Sequence, residues 1–320
     1  MAFSGERTRV STYVSNWMPT GDEFVDNSIG VFAGGYVPTS SNVIDYVTIR
    51  TLGNATDFGD LTSARYAAAA GASDTRGVFM NGYTNLAKVS TIDYITFATT
   101  GNATSFGDST LARSASGGCS SSTRALAGGG FTVASTYSNT IDYITIASTG
   151  NGTDFGDLTQ SRLVYSACGS PTRGIFGCGY VGSLASYDDV RDYVTIATTG
   201  NATNFGDATI TNNASGACSD STRAVFAGGD GAPKNTIDYM TIATTGNAID
   251  FGDLTVGRGQ PGGASNTSRG VFAGGEGDSN YVNVIDYVTI QTTGNATDFG
   301  DLTVARGAGV AGCSNGHGGL

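Results

Sequence analysis

The chain reads as all-β: a closed ring of six repeats, each made of four short strands. Three observations predict this. A phrase of the form IDYxTI…TGNATDFGD returns six times, with its Asp at Asp45, Asp93, Asp142, Asp192, Asp238 and Asp286, in steps of 48, 49, 50, 46 and 48 residues. Apolar residues fall in short Val/Ile/Phe/Tyr runs between Gly-rich turns, in a chain with 49 Gly and 39% hydrophobic residues. No stretch of about 10–12 residues keeps a 3.6-residue apolar period, so no long helix is expected. A period near 48 lies in the range of propeller blades.

The repeat over residues 65–109 shows the elements in order. RYAAAAGAS (65–73) is strand a. Its small residues suit the innermost position, where six copies crowd around one axis. TRGVFMNGY (75–83) is strand b, ending at Gly. IDYITFAT (92–99) is strand c, with clear period-two alternation. ATSFGD (103–108) is strand d, and the TGN before it reads as a tight hairpin, because Gly and Asn tolerate positive φ.

The ends predict how the ring closes. The first repeat opens at strand b, near Ser28, without a strand a of its own. The chain finishes with an orphan strand a, ARGAGVAGCSNG (305–316). That segment is expected to complete the first blade from the inside, which removes open sheet edges at the seam. The expected organisation is an N-terminal arm over residues 1–27, for anchoring or docking, and one six-bladed β-propeller over 28–320.

The strand order resembles the Kelch-type propeller over about residues 29–315. Gly pairs end strand b at Gly34–Gly35, Gly128–Gly129, Gly228–Gly229 and Gly274–Gly275. A Tyr sits in strand c at Tyr46, Tyr94, Tyr143, Tyr193, Tyr239 and Tyr287. An aromatic marks strand d, here Phe where the Kelch pattern usually has Trp. Near-identical, Gly-rich, His-poor repeats of this kind also look like propellers that large tailed phages encode as virion proteins. That resemblance implies a virion location, assembly in the host cytoplasm, and other virion proteins or copies of this chain as partners.

Charge and residue inventory narrow the function classes. The formal net charge is −11, with 16 basic residues, of which Lys88 and Lys234 are the only Lys. No basic cluster is present, which reads against nucleic acid and against anionic membranes. The residues after Met1 lack the form of a signal peptide, and no run of about 18 apolar residues offers a membrane helix. The only His is His317, so a His-based triad or metal site is not expected, nor are the histidine ligands of the Kelch-like copper oxidases. No cofactor and no metal are expected.

The recurring polar residues read as structural. An Arg precedes strand a at Arg65, Arg113, Arg162, Arg258 and Arg306, with Asn212 as the exception. Strand d ends in Asp60, Asp108, Asp157, Asp207, Asp253 and Asp301. Strand direction puts these ends and the Asp45-type residues on one face. Paired carboxylates could serve acid–base or metal chemistry, but a sixfold set fits a blade-to-blade ion-pair network. A second Arg set (Arg76, Arg124, Arg173, Arg223, Arg269) opens strand b within reach of the TGN turns. Four of the five Cys hold one repeat position, shared with Ala72 and Ala264, as a small buried slot rather than a disulfide frame. NAT matches a glycosylation acceptor, but its place in a repeated hairpin accounts for it without sugar.

Function is therefore expected where repetition stops. The b–c loops differ between repeats and carry Tyr36, Tyr83, Tyr137, Tyr180, Tyr187 and Tyr281, candidate binding residues on one face. The N-terminal arm holds the only Trp, Trp17, beside Met18, a candidate anchor for a partner. The expected role is non-enzymatic: a fibre, decoration or adsorption component. The alternative is a lectin-like propeller, with a host surface glycan as partner and identical pockets between blades adding avidity. A sialidase- or lyase-type enzyme is a third reading, with its Arg residues better explained by the repeat.

Overall fold

Each repeat folds into one twisted antiparallel sheet, and six such sheets stand around a common axis as a β-propeller. The computed structural model describes residues 27–232 and 234–316. Strands a to d of the second blade are Ala69–Ala72, Arg76–Met80, Thr91–Thr96 and Thr104–Asp108. The third, fifth and sixth blades repeat this order from inner strands Gly117–Ser120, Gly216–Ser219 and Gly262–Ser265. The fourth differs: its strands c and d are Ser186–Thr195 and Thr203–Asn212, each 10 residues, so this blade carries the longest outer hairpin among the described residues.

Closure follows the sequence. In the first blade, Ala311–Ser314 pairs antiparallel with Ile29–Ala33, with Val31 opposite Cys313, and Val43–Thr48 and Thr56–Asp60 complete the sheet. The last segment of the propeller thus lies inside the first, and no inner edge is left open at the seam.

Packing between blades explains the small residues of strand a. The inner strands approach so closely that a Cβ on Gly118 would overlap the backbone of Ala70, and one on Gly263 the carbonyl of Ala217. The Cys slot is read correctly in kind but misplaced by one residue in the second blade. Register aligns Gly71 opposite Val78, as Cys119 lies opposite Leu126, so Gly71 and not Ala72 holds the position. Each occupant faces strand b of the next blade. Cys119 meets Gly174, Cys218 meets Gly270 and Cys313 meets Gly77, whereas Gly71 meets Ala125. Large against absent and absent against small keep the spacing even. All five thiols are free and buried. Burial pushes the Cys168 thiol up to about 12 and Cys178 up to about 11.

The outer strands are tied to the next blade by the connection after strand c. It is longer than the hairpin expected. Gly101 and Ala103 donate backbone hydrogen bonds to the carbonyls of Phe58 and Asp60 (both 2.7 Å), and the Asn102 side chain accepts from the Asp60 N–H (3.1 Å). The same Asn contact recurs at Asn151, Asn201, Asn247, Asn295 and Asn54. This is why the strand d motif is FGD: a Cβ on Gly59 would collide with the Gly101 carbonyl, and Gly59 has φ +147°. On the inner side of strand d, each Phe packs edge-on against the Tyr of strand c, as Tyr46–Phe58 does at 5.8 Å.

Candidate functional site

The repeated charges, read from the sequence as a blade-to-blade ion-pair network, are consumed inside the ring. Arg65 leaves the connection between the first and second blades and reaches Asp93 of the second blade at 2.8 Å, both side chains wholly buried. Thr62, in the same connection, donates its N–H and hydroxyl to Asp93 (3.1 and 2.7 Å). Arg113–Asp142, Arg162–Asp192, Arg258–Asp286 and Arg306–Asp45 repeat the pair at 2.8–3.1 Å. The Arg306 and Thr303 contacts with Asp45 bind the end of the sixth blade to the first. The strand-end Asp60 set does not join these pairs. The Asn hairpin contact described above engages its backbone instead.

At the fifth blade, where Asn212 stands in place of Arg, the guanidinium arrives from elsewhere. Arg191, one residue before Asp192 where other blades have Ile, crosses to Asp238 at 2.7 Å and lies 3.9 Å over the Phe226 ring. Asn212 still donates to the Gly228 carbonyl, at 2.7 Å. A cavity of about 10 Å³ beside Arg191, Asn212 and Asp238 marks the exchange. Burial lowers the Arg65, Arg113, Arg258 and Arg306 guanidinium pKa values against the opposing pull of their Asp partners. For Arg191 burial acts the same way and is the largest influence, but Asp238 together with the neighbouring Cys178 and Cys168 outweighs it and the value rises.

The second Arg set is structural as well. Arg76 donates to the Ile146 and Ala147 carbonyls of the next blade (both 3.0 Å), just before its TGN turn, and stacks 4.7 Å over Tyr94. Arg124, Arg173, Arg223 and Arg269 do the same over Tyr143, Tyr193, Tyr239 and Tyr287. A sialidase-like triad has no exposed guanidinium to draw on from either set: one is buried in ion pairs and the other is committed to carbonyls and rings.

The b–c loops give a different picture. The tyrosines singled out from sequence are not scattered; they meet ring to ring, edge-on or tilted, around the mouth of the propeller. Tyr281 of the sixth blade contacts Tyr36 of the first at 5.8 Å, Tyr36 contacts Tyr66 at 5.3 Å, and Tyr66 contacts Tyr83 at 5.4 Å. Lys88 bridges to the next group, 6.0 Å from the Tyr83 ring and 4.1 Å over Phe131. Phe131, Tyr137, Tyr180 and Tyr187 then follow at 5.1, 5.7 and 6.0 Å. The arc thus runs over the sixth, first, second, third and fourth blades. Outside it, the loop tips expose Leu86, Val133 and Leu184.

The residue that follows the strand b glycines explains the asymmetry. It is aromatic in four blades (Tyr36, Tyr83, Phe131, Tyr180) and acidic in the last two (Asp230, Glu276). Backbone bridges hold these residues at the mouth: Tyr36 against Gly307, Tyr83 against Tyr66, Glu276 against Gly259. Burial raises the Asp230 pKa, opposed by the Asn213 hydrogen bond (3.2 Å) and added to by the Glu276 charge. Beside them the loop Glu276–Tyr281 curls around an open cleft of about 250 Å³, bordered by Glu276, Asp278, Ser279, Asn280 and Tyr281. Lys234 reaches Asp278 at 3.3 Å across its rim.

At the axis itself the inner strands leave a cavity of only about 30 Å³, room for about two waters. Tyr165 is its one aromatic lining residue, two positions before the inner strand Ala167–Gly169. Its pKa is raised by burial first, then by Asp230, Tyr66, Glu276 and Tyr187. Among the described residues its hydroxyl makes no hydrogen bond within the chain.

Sequence reasoning named Tyr36, Tyr83, Tyr137, Tyr180, Tyr187 and Tyr281, and the structure brings all six into this arc. It missed Tyr66, Phe131, Tyr165, Asp230 and Glu276. Tyr165 had a legible signal, an aromatic just before a small-residue strand; the acids had one in the switch from GGY to GGD and GGE. Trp17 and Met18 lie outside the described residues. No family model matches the chain, and no curated protein matches it.

Proposed function

We propose that this protein is a non-enzymatic recognition component in which a rigid propeller presents the Tyr-lined b–c loop face to a partner. The observation that carries this reading is the division of labour among polar and aromatic side chains. The sixfold Arg and Asp residues are spent on ion pairs between blades. The non-repeating Tyr, Asp and Glu residues converge at one mouth. Rigid, amphipathic Tyr side chains on short loops give contact area at low entropic cost, a pattern suited to binding. The Kelch-like resemblance and the near-identity of the blades support the finer reading of a tailed-phage virion protein: a fibre, decoration or adsorption component that contacts other virion proteins or copies of itself.

Two measurements test it. Mass spectrometry of purified virions should contain this chain as a stoichiometric component; its absence from the particle removes the virion role. Particles carrying Tyr137→Ala, Leu184→Ser and Tyr187→Ala together should lose partner binding or adsorption at least tenfold, with unchanged thermal unfolding of the purified protein. Unchanged adsorption rejects the loop face as the binding face.

A further inference from the structure

We propose that the mouth of the propeller, from the Glu276–Tyr281 cleft along Tyr36, Tyr66 and Tyr83 to Tyr165, is a binding site for a neutral oligosaccharide. This rests on the loop face being the recognition face and adds the ligand and its position.

The chemistry of the walls selects the ligand class. A sugar ring presents apolar C–H faces and a rim of hydroxyls that both donate and accept. The cleft offers the matching set: two carboxylates (Glu276, Asp278), one amide (Asn280), one hydroxyl (Ser279) and one aromatic ring (Tyr281). Its volume of about 250 Å³ accommodates one sugar residue with its hydration, and is below the usual 300–1,000 Å³ of drug-sized pockets. Tyr281 is also the first ring of the arc, so a second and third sugar have Tyr36, Tyr66 and Tyr83 beside them. Asp230, from the preceding blade, adds a further hydroxyl acceptor to Glu276 and Asp278. Tyr165, half-buried and lining the axial cavity, adds a hydroxyl that can both donate and accept.

Charge narrows the choice further. Asp230, Glu276 and Asp278 face the mouth, and the one nearby ammonium that pairs, Lys234, is taken by Asp278. Lys88 is held over Phe131 on the other side of the arc. Acidic sugars would meet uncompensated carboxylates, so neutral ones are favoured. A basic peptide would satisfy the carboxylates but leaves the amide, hydroxyl and ring edges without a use. The site is also single and asymmetric, unlike the repeated pockets between blades expected from sequence.

The experiment is a glycan array with the whole protein, carrying neutral, sialylated and uronate-containing oligosaccharides. Isothermal titration with the best neutral binder and with oligolysine follows. Binding restricted to neutral glycans is expected, with Glu276→Gln weakening it about tenfold and Tyr165→Phe three- to tenfold. Both substitutions are near-isosteric, so circular dichroism and unfolding should match the parent. No glycan bound, acidic glycans alone bound, or oligolysine bound in a Glu276-dependent way would each overturn the proposal. Loss of adsorption in the loop-face variant with no glycan bound overturns the saccharide alone. Glycan binding that survives every mouth and loop variant overturns the loop-face reading beneath it.

Discussion

Asp238 shows what a single residue of this ring requires. Its carboxylate is buried, and burying one charge without a counter-charge costs several kcal/mol, so each blade must deliver a guanidinium to it. Five blades use the Arg before strand a; the fifth uses Arg191 because Asn212 cannot reach. Many of these Arg side chains keep a buried Nε with no acceptor, including Arg65, Arg191 and Arg306. The pairs therefore act more as registration pins for the blades than as a large net gain in stability. Arg191→Ile alone is expected to destabilise by about 3–5 kcal/mol, since it strands Asp238. Adding Asn212→Arg rebuilds the arrangement of the other blades and should bring the double variant back to within about 1 kcal/mol of the parent. Denaturant unfolding of the three proteins measures this; equal instability of single and double variants would show that the two positions are not exchangeable.

At the scale of elements, the decisive piece is the terminal inner strand. Ala311–Ser314 supplies the inner partner of Ile29–Ala33, fills the slot against Gly77 with Cys313, and follows the Arg306–Asp45 pair. Deleting residues from 305 onward should expose the Ile29–Ala33 edge, lower the unfolding temperature and cause aggregation, read by thermal unfolding with light scattering. A circular permutant that begins at Leu302 and joins residue 320 to residue 1 keeps every described strand pair and should unfold like the parent. A truncated chain as stable as the parent would mean that the seam does not close the ring. Strand existence and order were legible because the period, the alternation in strand c and the glycines all agree. The connection after strand c was not. TGN looks like a hairpin locally, yet its backbone pairs with the preceding blade, a partner some 40 residues away that local propensity cannot register.

For the whole molecule, an acidic chain with buried carboxylates has a pH response whose sign can be worked out. Burial holds Asp142, Asp188 and Asp230 above the ordinary carboxylate value of 3.8, so the folded state binds their protons more tightly than the unfolded chain does. Stability from these groups is greatest when they are protonated and falls as pH rises through the window above 3.8. Asp220 runs the other way. Burial pushes it up, but hydrogen bonds from Gln291, Arg223 and Thr222 outweigh that, so its stabilisation is lost only as pH drops below 3.8. Acidification from pH 7 to 5 also reduces the self-repulsion of a −11 chain. The melting temperature at pH 5 is expected to equal or exceed that at pH 7, measured by calorimetry; a steady fall over this range would contradict the assignment.

The sequence alone determined the strand content, the blade count, the closure by the last strand and the loop tyrosines as the non-repeating aromatics. These follow from periodicity, because a ring of equal parts must write the same packing, glycine and ion-pair requirements six times. Only the tertiary structure decided which side chains share a place. Tyr281 and Tyr36 meet across 245 residues of chain, Arg191 replaces an Arg missing from the next blade, and Tyr165 lines the axial cavity with residues of the other blades. These contacts cross blade boundaries, where neighbours in space are set by ring closure and not by nearness along the chain.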